Sequence, residues 1–215
     1  MLPERLTWVD ETNRDQHHFL EVADRCLFFG DFFGGRDWSA GHTNQLIRNY
    51  KRTPQEIAAS IRARQLQYYK DQAVGEVAAA LRKAFSAAAV EARTFVPIPT
   101  SKVRGDPDYC DRLERTLRLA FQGYNADLRP ILRQTVSTEA DHRSGRDRKS
   151  YQELLDITAV DAALSDPEPR AEIVLFDDVL TSGKHFRVAK TRILEVWPGR
   201  PILGMFIARC VHARD

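Results

Sequence analysis

The sequence predicts an α/β protein in which helices flank a mostly parallel, twisted sheet. From residue 94 onward, apolar strand-like runs alternate with segments of helical periodicity. Residues 173–176 are apolar without alternation, which is typical of a strand buried on both faces of a parallel sheet. With 215 residues, the chain is long enough for one domain, or for one domain with an elaboration.

Composition and charge exclude several functional classes. Hydrophobic residues make up 43% and charged residues 29%, and a net charge of +2 is too small to indicate a nucleic-acid partner by itself. Cys26, Cys110 and Cys210 match no metal-ligand spacing, so we expect reduced, buried thiols in a cytoplasmic protein. No apolar run approaches the ~20 residues of a membrane span, and we expect no membrane partner.

Residues 1–70 predict an N-terminal elaboration that packs on a core formed by residues 71–215. Residues 26–33 are aromatic and predict one strand, or two short strands around Gly30 and Asp31. A short helix is predicted over residues 46–51. Side chains that we expect in the core, rather than in a stacking surface, are Phe28, Phe29, Phe32, Phe33 and Trp38.

A helical pattern begins at Thr53 and extends to residue 85. Threonine suits the N-cap, Pro54 suits the first helical position, and Glu56 completes a capping box. The pattern fits one long helix, or two helices joined near Lys70 and Asp71. The apolar residues that recur at helical spacing are Ile57, Ile61, Tyr68, Val74, Val77, Leu81 and Phe85.

The middle of the chain predicts a strand, a helix and a second strand. The first strand is predicted over residues 94–99 and ends in proline. Asp106 and Pro107 predict a helix start as N-cap and first helical residue. Residues 128–132 predict a strand near a sheet edge, because Pro130 cannot donate a ladder hydrogen bond, or a strand that starts at Pro130.

Residues 134–149 are polar, hydroxyl-rich and basic, with no periodicity. A loop of this length in a compact domain is usually functional or disordered. Its basic residues form either a solvated charge run or a binding site for an anion. They are Arg143, Arg146, Arg148 and Lys149. A helix is predicted over residues 150–155 and a final strand over residues 201–208.

Two adjacent carboxylates, Asp177 and Asp178, directly follow the buried strand at 173–176. Open α/β sheets bind ligands in the crevice outside the carboxyl ends of their strands. Neighbouring side chains of an extended backbone point to opposite sides, so one carboxylate can face a ligand while local amides hold the other. A bare acidic pair before a helix can also act only as a cap.

A hydroxyl-rich turn follows the carboxylates and ends where a helical pattern starts. Backbone amides and the helix dipole favour an anion at such a position. Carboxylates beside an anion site suggest a phosphorylated sugar as ligand. Gly183 and Lys184 do not form a P-loop, because Asp178 stands where its first glycine is needed and His185 stands where Ser or Thr is needed.

Two segments together resemble type I phosphoribosyltransferases. Residues 174–186, with an apolar strand, two acids and a Thr-Ser-Gly turn, resemble the signature that binds phosphoribosyl pyrophosphate. Residues 95–105 resemble the strand and pyrophosphate loop of the same superfamily. The chain is most similar to ComF-like competence proteins, which carry a short apolar-basic helix where residues 46–51 lie. The resemblance covers about residues 94–209 and implies a Rossmann-like phosphoribosyltransferase fold.

The resemblance also implies a role for each part of the site. Asp177 and Asp178 would act in catalysis, bind the ribose hydroxyls and help to hold Mg²⁺, directly or through water or ligand. The 5′-phosphate would be bound by Val179, Leu180, Thr181, Ser182, Gly183, Lys184 and His185. The pyrophosphate would be bound by Ser101, Lys102, Arg104, Arg148 and Lys149. Arg143 and Arg146 would close over the reacting bond from a mobile catalytic loop.

The implied reaction transfers ribose 5-phosphate from phosphoribosyl pyrophosphate to a nitrogen acceptor and releases pyrophosphate. Bond cleavage builds positive charge on the sugar and negative charge on the leaving group, which Mg²⁺ and basic side chains stabilise. A second interpretation stays open, in which a non-catalytic ComF-like protein binds phosphoribosyl pyrophosphate or a nucleotide, or binds single-stranded DNA during DNA processing. Lys184 and His185 favour it, because the family usually has small residues there. The oligomeric state is open, and a homodimer is one candidate.

Overall fold

A computed structural model of the chain describes residues 1–138 and 149–211. Its strands form one large sheet and one small sheet. The strands are β1 (Thr7–Trp8), β2 (Arg25–Phe33), β3 (Arg93–Pro97), β4 (Asp127–Leu128), β5 (Leu132–Gln134), β6 (Thr158–Val160), β7 (Glu172–Leu180) and β8 (Ile202–Val211). The helices are α1 (His42–Lys51), α2 (Pro54–Ala58), α3 (Ala63–Ala84), α4 (Ala87–Glu91), α5 (Arg112–Ala120), α6 (Tyr151–Ile157) and α7 (Lys184–Val196).

The large sheet has the strand order β1-β2-β8-β7-β3-β4. Every neighbouring pair is parallel except β1 and β2, which confirms the predicted α/β fold with a mostly parallel sheet. In the small sheet, β5 and β6 pair antiparallel. The aromatic run predicted as one or two strands is the single strand β2, which lies between β1 and β8. The predicted N-terminal elaboration therefore contributes directly to the large sheet.

Helices cover both faces of the sheet, which explains the unbroken apolar run in β7. Ile173 and Leu175 pack in the hydrophobic cluster that includes α7. Val174 and Phe176 pack in the opposite cluster, which includes α1, α3 and α5. Successive side chains of a strand alternate between its two faces. The next two residues of β7, Asp177 and Asp178, therefore face different helical layers.

The helical pattern that begins at Thr53 forms two helices, and their predicted junction near Lys70 and Asp71 is wrong. α2 starts with the predicted capping box at Thr53 and ends at Ala58, and α3 runs from Ala63 through residues 70 and 71 without a break. At the true junction, the Ser60 hydroxyl accepts a hydrogen bond from the Arg62 amide at 3.1 Å. Such local side-chain contacts compete with the helical hydrogen-bond pattern.

α5 begins five residues after the predicted start. The Asp106 carboxylate accepts hydrogen bonds from the Asp108 amide at 2.8 Å and from the Ser137 hydroxyl at 2.6 Å. Asp106 therefore closes a turn, and the helix begins only at Arg112. The strand predicted over residues 128–132 is divided at Pro130. β4 is the edge strand of the large sheet, as predicted, and β5 belongs to the small sheet.

Several exposed side chains contradict the predicted core. Trp38, Ile61 and Tyr68 have exposed fractions of 64%, 102% and 58%. The prediction holds for Phe28 and Phe29, which are buried in β2. The three cysteines are buried and free, as predicted. Among the helices that the structure describes, none is long and apolar enough to cross a membrane.

Gly204 allows α7 to pack closely against the centre of the sheet. An added Cβ atom would lie 2.7 Å from Cys26 Sγ and 2.8 Å from a ring carbon of Phe186, the third residue of α7. We expect Gly204→Ala to lower the free energy of unfolding by about 1–3 kcal/mol through overpacking. Urea denaturation measures this value.

Gly75→Ala in α3 is the matched control. Its added Cβ would meet no atom within 4 Å, and alanine favours helix by about 0.5–1 kcal/mol over glycine. We expect this variant to be as stable as the wild type or more stable. Equal stability of the Gly204→Ala variant and the wild type would contradict the packing argument.

Candidate functional site

The candidate site lies where β7 extends past the end of β3. Pro97, the last residue of β3, pairs with Phe176, so Asp177 and Asp178 extend beyond it. The chain then leaves β3 beside the acids, because the Ile98 amide donates a hydrogen bond to the Phe176 carbonyl at 2.9 Å. The two segments that the sequence analysis selected are therefore neighbours at one edge of the sheet.

Asp178 is buried and ion-paired on the side of α1 and α5. Its Oδ1 accepts a hydrogen bond from Lys51 Nζ at 3.1 Å. Its Oδ2 accepts two from Arg112, from Nε at 3.1 Å and from Nη2 at 2.6 Å. Burial raises the pKa of Asp178, but the charges of Lys51 and Arg112 outweigh this effect and hold that pKa well below its usual range. Both oxygens of this carboxylate therefore already accept hydrogen bonds from cations.

Arg112 is itself held by buried groups. The Tyr50 hydroxyl donates to the Arg112 carbonyl at 3.2 Å and is bonded to the Thr116 hydroxyl at 2.8 Å. The guanidinium lies 5.9 Å from the centre of the Tyr50 ring. Tyr50 and Thr116 are fully buried, and burial raises the pKa of the Tyr50 hydroxyl. The site therefore includes α1 and α5 as well as the ends of β3 and β7.

Asp177 is directed to the side of α7 and is only partly buried. Its Oδ1 accepts a hydrogen bond from the Asp178 amide at 2.7 Å, and it forms no ion pair with any residue that the structure describes. Burial and the adjacent charge of Asp178 raise the pKa of Asp177 to about 6, against opposing effects of His185 and Lys51. Of the two predicted acids, Asp177 is the one suited to contact a ligand.

The turn that follows β7 has a glycine where glycine is required. Gly183 has φ +85° and precedes the first residue of α7. A Cβ atom at this position would lie 2.9 Å from the side chain of Leu20. Both the left-handed backbone and the close contact therefore exclude a larger residue.

Residues 17–20 support this turn from one side, although the sequence analysis assigned them no function. The Phe19 amide donates to the Ser182 carbonyl at 2.9 Å, and His17 Nδ1 donates to the Thr181 carbonyl. His17 is fully buried. No sequence pattern links these residues to the turn, because the contact joins positions 164 residues apart.

Lys184, the first residue of α7, is directed toward the segment before α6. Its Nζ donates to the Lys149 carbonyl and lies 5.5 Å from the centre of the Phe19 ring. Phe19 in turn stacks on Tyr151 with 6.4 Å between ring centres. Lys149 is predicted to bind the pyrophosphate. Its backbone carbonyl contacts Lys184, a residue predicted to bind the 5′-phosphate.

The predicted pyrophosphate loop is joined to the segment after β5. The Ser101 carbonyl accepts a hydrogen bond from the Thr138 amide at 2.8 Å, and the Val103 amide donates to the Ser137 hydroxyl at 3.2 Å. Arg104 pairs with Glu114 of α5, a buried carboxylate that also accepts from the Tyr109 hydroxyl at 2.9 Å. Burial and the Glu114 charge raise the pKa of Tyr109 to about 12.

A depression of about 380 Å³, including space open to solvent, lies between this loop and residues 130–134. Lys102 and Arg104 line it, together with Thr100 and Gln134. Thr100 Oγ1 and Gln134 Oε1 are buried and have no hydrogen-bond partner among the described residues. Neither residue belongs to a recognisable motif, so the sequence alone does not reveal these two polar atoms.

The remaining predicted site residues, Arg143, Arg146 and Arg148, lie outside the described residues. Lys51 and Arg112 were not predicted as site residues. The sequence did contain a signal that Lys51 lies near the core: it directly follows Tyr50, which is on the buried face of the predicted apolar-basic helix. Arg112 lay in a helix whose predicted start was wrong.

The acids offer Mg²⁺ a small donor set. Within residues 1–138 and 149–211, no group of three or more His, Cys, Asp or Glu side chains is placed to hold a metal ion. Mg²⁺ typically uses one or two carboxylates together with substrate phosphates and water. Asp177 fits that requirement, whereas both oxygens of Asp178 are already ion-paired.

Comparison of the chain with protein-family models and with curated proteins finds no match.

The opposite environments of the two acids predict opposite effects of isosteric substitutions. At pH 7, we expect Asp177→Asn to raise the free energy of unfolding by up to about 3 kcal/mol, because the folded protein then no longer contains a carboxylate with a raised pKa. We expect Asp178→Asn to lower it by about 3–5 kcal/mol, because Lys51 and Arg112 lose a buried charged partner.

The pH dependence distinguishes these effects. The folded-state pKa of Asp177 is raised, so its stabilising contribution is complete below about pH 4 and is lost as the pH rises through about 6. The difference between Asp177→Asn and wild type should therefore vanish below about pH 4 and grow toward pH 7. Denaturation curves at several pH values measure it. Equal effects of the two variants at pH 7 would contradict the described geometry.

Proposed function

We propose that the protein binds phosphoribosyl pyrophosphate at the β7–α7 turn and transfers ribose 5-phosphate to a nitrogen acceptor with release of pyrophosphate. One observation carries the proposal. A partly buried carboxylate, Asp177, lies beside a Thr-Ser-Gly turn at the start of a 13-residue helix, at the carboxyl edge of parallel strands. This arrangement offers a hydroxyl-binding group and an anion-binding group next to each other.

The backbone of the turn supports a phosphate site. In a trans peptide the N–H group points opposite to the C=O group of the same peptide unit. The carbonyls of Thr181 and Ser182 are bonded to residues 17 and 19, so the amides of Ser182 and Gly183 point away from that segment. Together with the positive end of the α7 dipole, these amides suit the 5′-phosphate of the ligand.

Asp177 suits the ribose. A carboxylate can accept hydrogen bonds from two neighbouring hydroxyl groups, and its charge favours the positive charge that develops at the sugar when the bond to pyrophosphate breaks. Asp178 has a different role in this proposal. Its ion pairs with Lys51 and Arg112 hold the backbone of the acidic pair, so it is a positioning residue.

The loop after β3 suits the pyrophosphate. Lys102 and Arg104 supply positive charge in the loop that follows β3, the strand that pairs with β7. When bound, Mg²⁺ neutralises negative charge on the leaving pyrophosphate. Asp177 and the ligand phosphates would hold the ion, because Asp178 has no uncommitted oxygen. Arg104 is paired with Glu114 and would have to exchange this partner for the ligand.

Titration calorimetry with phosphoribosyl pyrophosphate tests the site without knowledge of the acceptor. We expect binding that is at least tenfold tighter with Mg²⁺, and a loss of at least tenfold in affinity for Asp177→Asn. Glu195→Gln is the matched control, because this exposed carboxylate lies at the far end of α7 and pairs only locally with Arg192. Its affinity should equal that of the wild type.

Pyrophosphate release with a panel of nucleobases and amines then tests turnover. Release that requires Mg²⁺ and disappears in Asp177→Asn is the expected result. Tight, Asp177-dependent binding without release would support the non-catalytic alternative. An absence of binding with and without Mg²⁺ would contradict the transferase and any non-catalytic function that depends on phosphoribosyl pyrophosphate.

A further inference from the structure

Lys70 is a buried cation without a carboxylate partner. Its exposed fraction is 6%, and within residues 1–138 and 149–211 no carboxylate forms an ion pair with it. Its Nζ donates to the Arg52 carbonyl and to Cys110 Sγ, the latter at 2.9 Å. A buried charge usually needs an opposite charge beside it. Of the groups that Lys70 contacts in the described part of the chain, only the Cys110 sulfur can supply that charge, as a thiolate.

A second cation and a helix start act on the same sulfur. Cys110 lies two residues before Arg112, the first residue of α5. The Arg112 amide donates to the sulfur, and the Arg112 guanidinium adds positive charge nearby. Burial raises the pKa of the Cys110 thiol, but the charges of Arg112 and Lys70 outweigh this effect and hold that pKa below its ordinary value. Helix N-termini and neighbouring lysine or arginine side chains are characteristic surroundings of a cysteine thiolate.

The other two cysteines have apolar surroundings. Cys26 packs in the hydrophobic cluster that includes α7, and Cys210 packs in the opposite cluster. Burial raises the pKa of the Cys26 thiol. Neither cluster, as formed by the described residues, includes Cys110. Cysteines buried among apolar groups are inert, so we expect the three thiols to differ in reactivity.

Cys110 also lines the depression between the loop after β3 and residues 130–134. The cations of this depression are Lys102, Arg104 and Arg133. Its acids are Asp111 and Glu114, and Glu114 is already paired with Arg104. A small molecule that enters the depression therefore meets Cys110 in a setting with an excess of positive charge.

The depression can hold a small polar molecule. Thr100 Oγ1 and Gln134 Oε1 line it, are buried, and have no hydrogen-bond partner among the described residues. Buried polar atoms of this kind normally bond to water or to a ligand. Hydrogen peroxide is close to water in size and carries two hydroxyl groups, so it can take the place of water at these atoms.

We propose that Cys110 is a peroxide-reactive cysteine, with Lys70 as the counter-ion that holds its thiolate. The thiolate sulfur attacks one oxygen of hydrogen peroxide. The O–O bond breaks as the S–O bond forms, and the other oxygen leaves as hydroxide, which takes a proton from the solvent and becomes water. The sulfur gives two electrons to the peroxide and becomes a sulfenic acid. The proposal does not depend on phosphoribosyl pyrophosphate.

Oxidation of Cys110 changes the surroundings of Arg112. It weakens the negative charge at the sulfur and adds an oxygen atom to a group that Lys70 and the Arg112 amide already contact. Arg112 Nη2 in turn donates to Asp178 at 2.6 Å. We therefore expect oxidation to destabilise the packing of α3 against the start of α5.

Differential alkylation of the full chain tests the proposal. The folded protein is treated with hydrogen peroxide, catalase removes the excess, and the chain is then unfolded in urea that contains iodoacetamide. Peptide mass spectrometry gives the fraction of each cysteine that is still a thiol. We expect Cys110 to be lost at least about tenfold faster than Cys26 and Cys210, and we expect dithiothreitol to restore it.

Lys70→Gln and Lys83→Gln separate the role of Lys70 from a general effect of charge. Both substitutions remove one positive charge from α3, and Lys83 is 61% exposed near the end of that helix. Oxidation of Cys110 should slow at least about tenfold in Lys70→Gln, because a rise of one unit in the thiol pKa lowers the thiolate fraction about tenfold. Lys83→Gln should react like the wild type. Circular dichroism checks that each variant is folded.

Thermal unfolding tests the consequence for the fold. The oxidised wild type should unfold at a temperature lower by at least about 2 °C than the reduced protein. Cys110→Ser, given the same treatment, should show no such shift. An unchanged unfolding temperature of the oxidised wild type would contradict the inferred effect on Arg112.

Equal oxidation rates of the three cysteines in the folded wild type would overturn the proposal, and this comparison needs no variant. The same preference for Cys110 in urea would also overturn it, because local sequence rather than the buried cation would then determine the reactivity. An unchanged rate at Cys110 in folded Lys70→Gln would overturn the role of Lys70 as counter-ion.

Discussion

The ion pairs of Asp178 with Lys51 and Arg112 are the interaction on which the arrangement of the site depends. Two adjacent carboxylates at the end of a buried strand would repel each other and lose hydration. Two cations on one side of β7 remove this conflict for Asp178. Asp177 is left on the other side, partly buried and with a raised pKa. The asymmetry leaves Asp178 paired with two cations and Asp177 without an ion pair among the described residues.

The N-terminal region also contributes residues to the cluster around Asp178 and to the neighbouring turn. α1 supplies Lys51, the buried Tyr50 fixes Arg112, and residues 17–20 support the turn before α7. Residues 177–183 of the candidate site are thus held by residues from the beginning and the middle of the chain. A site of this kind is preorganised by packing and hydrogen bonds rather than by the loop alone.

The sequence was sufficient to predict the parallel sheet, the β7–α7 turn and the loop after β3, because each depends on local pattern. Apolar runs, Gly183 and the acidic pair are local signals. The sequence alone was insufficient where a contact between residues far apart in the chain determines the local structure. Asp106 closes a turn because Ser137 reaches it, and Asp178 is ion-paired because Lys51 and Arg112 reach it from α1 and α5. The exposure of Trp38 likewise depends on how its segment meets α1.

The position of β2 has a consequence for the order of folding. This strand pairs in parallel with β8, and the segment before it contacts the turn at Thr181 and Ser182. A growing chain therefore holds β2 without its parallel partner until most of the sheet has been synthesised. Closing such distant contacts is slow, and an unpaired strand edge is prone to association meanwhile. The turn between β7 and α7 would be among the last parts of the molecule to reach its final form.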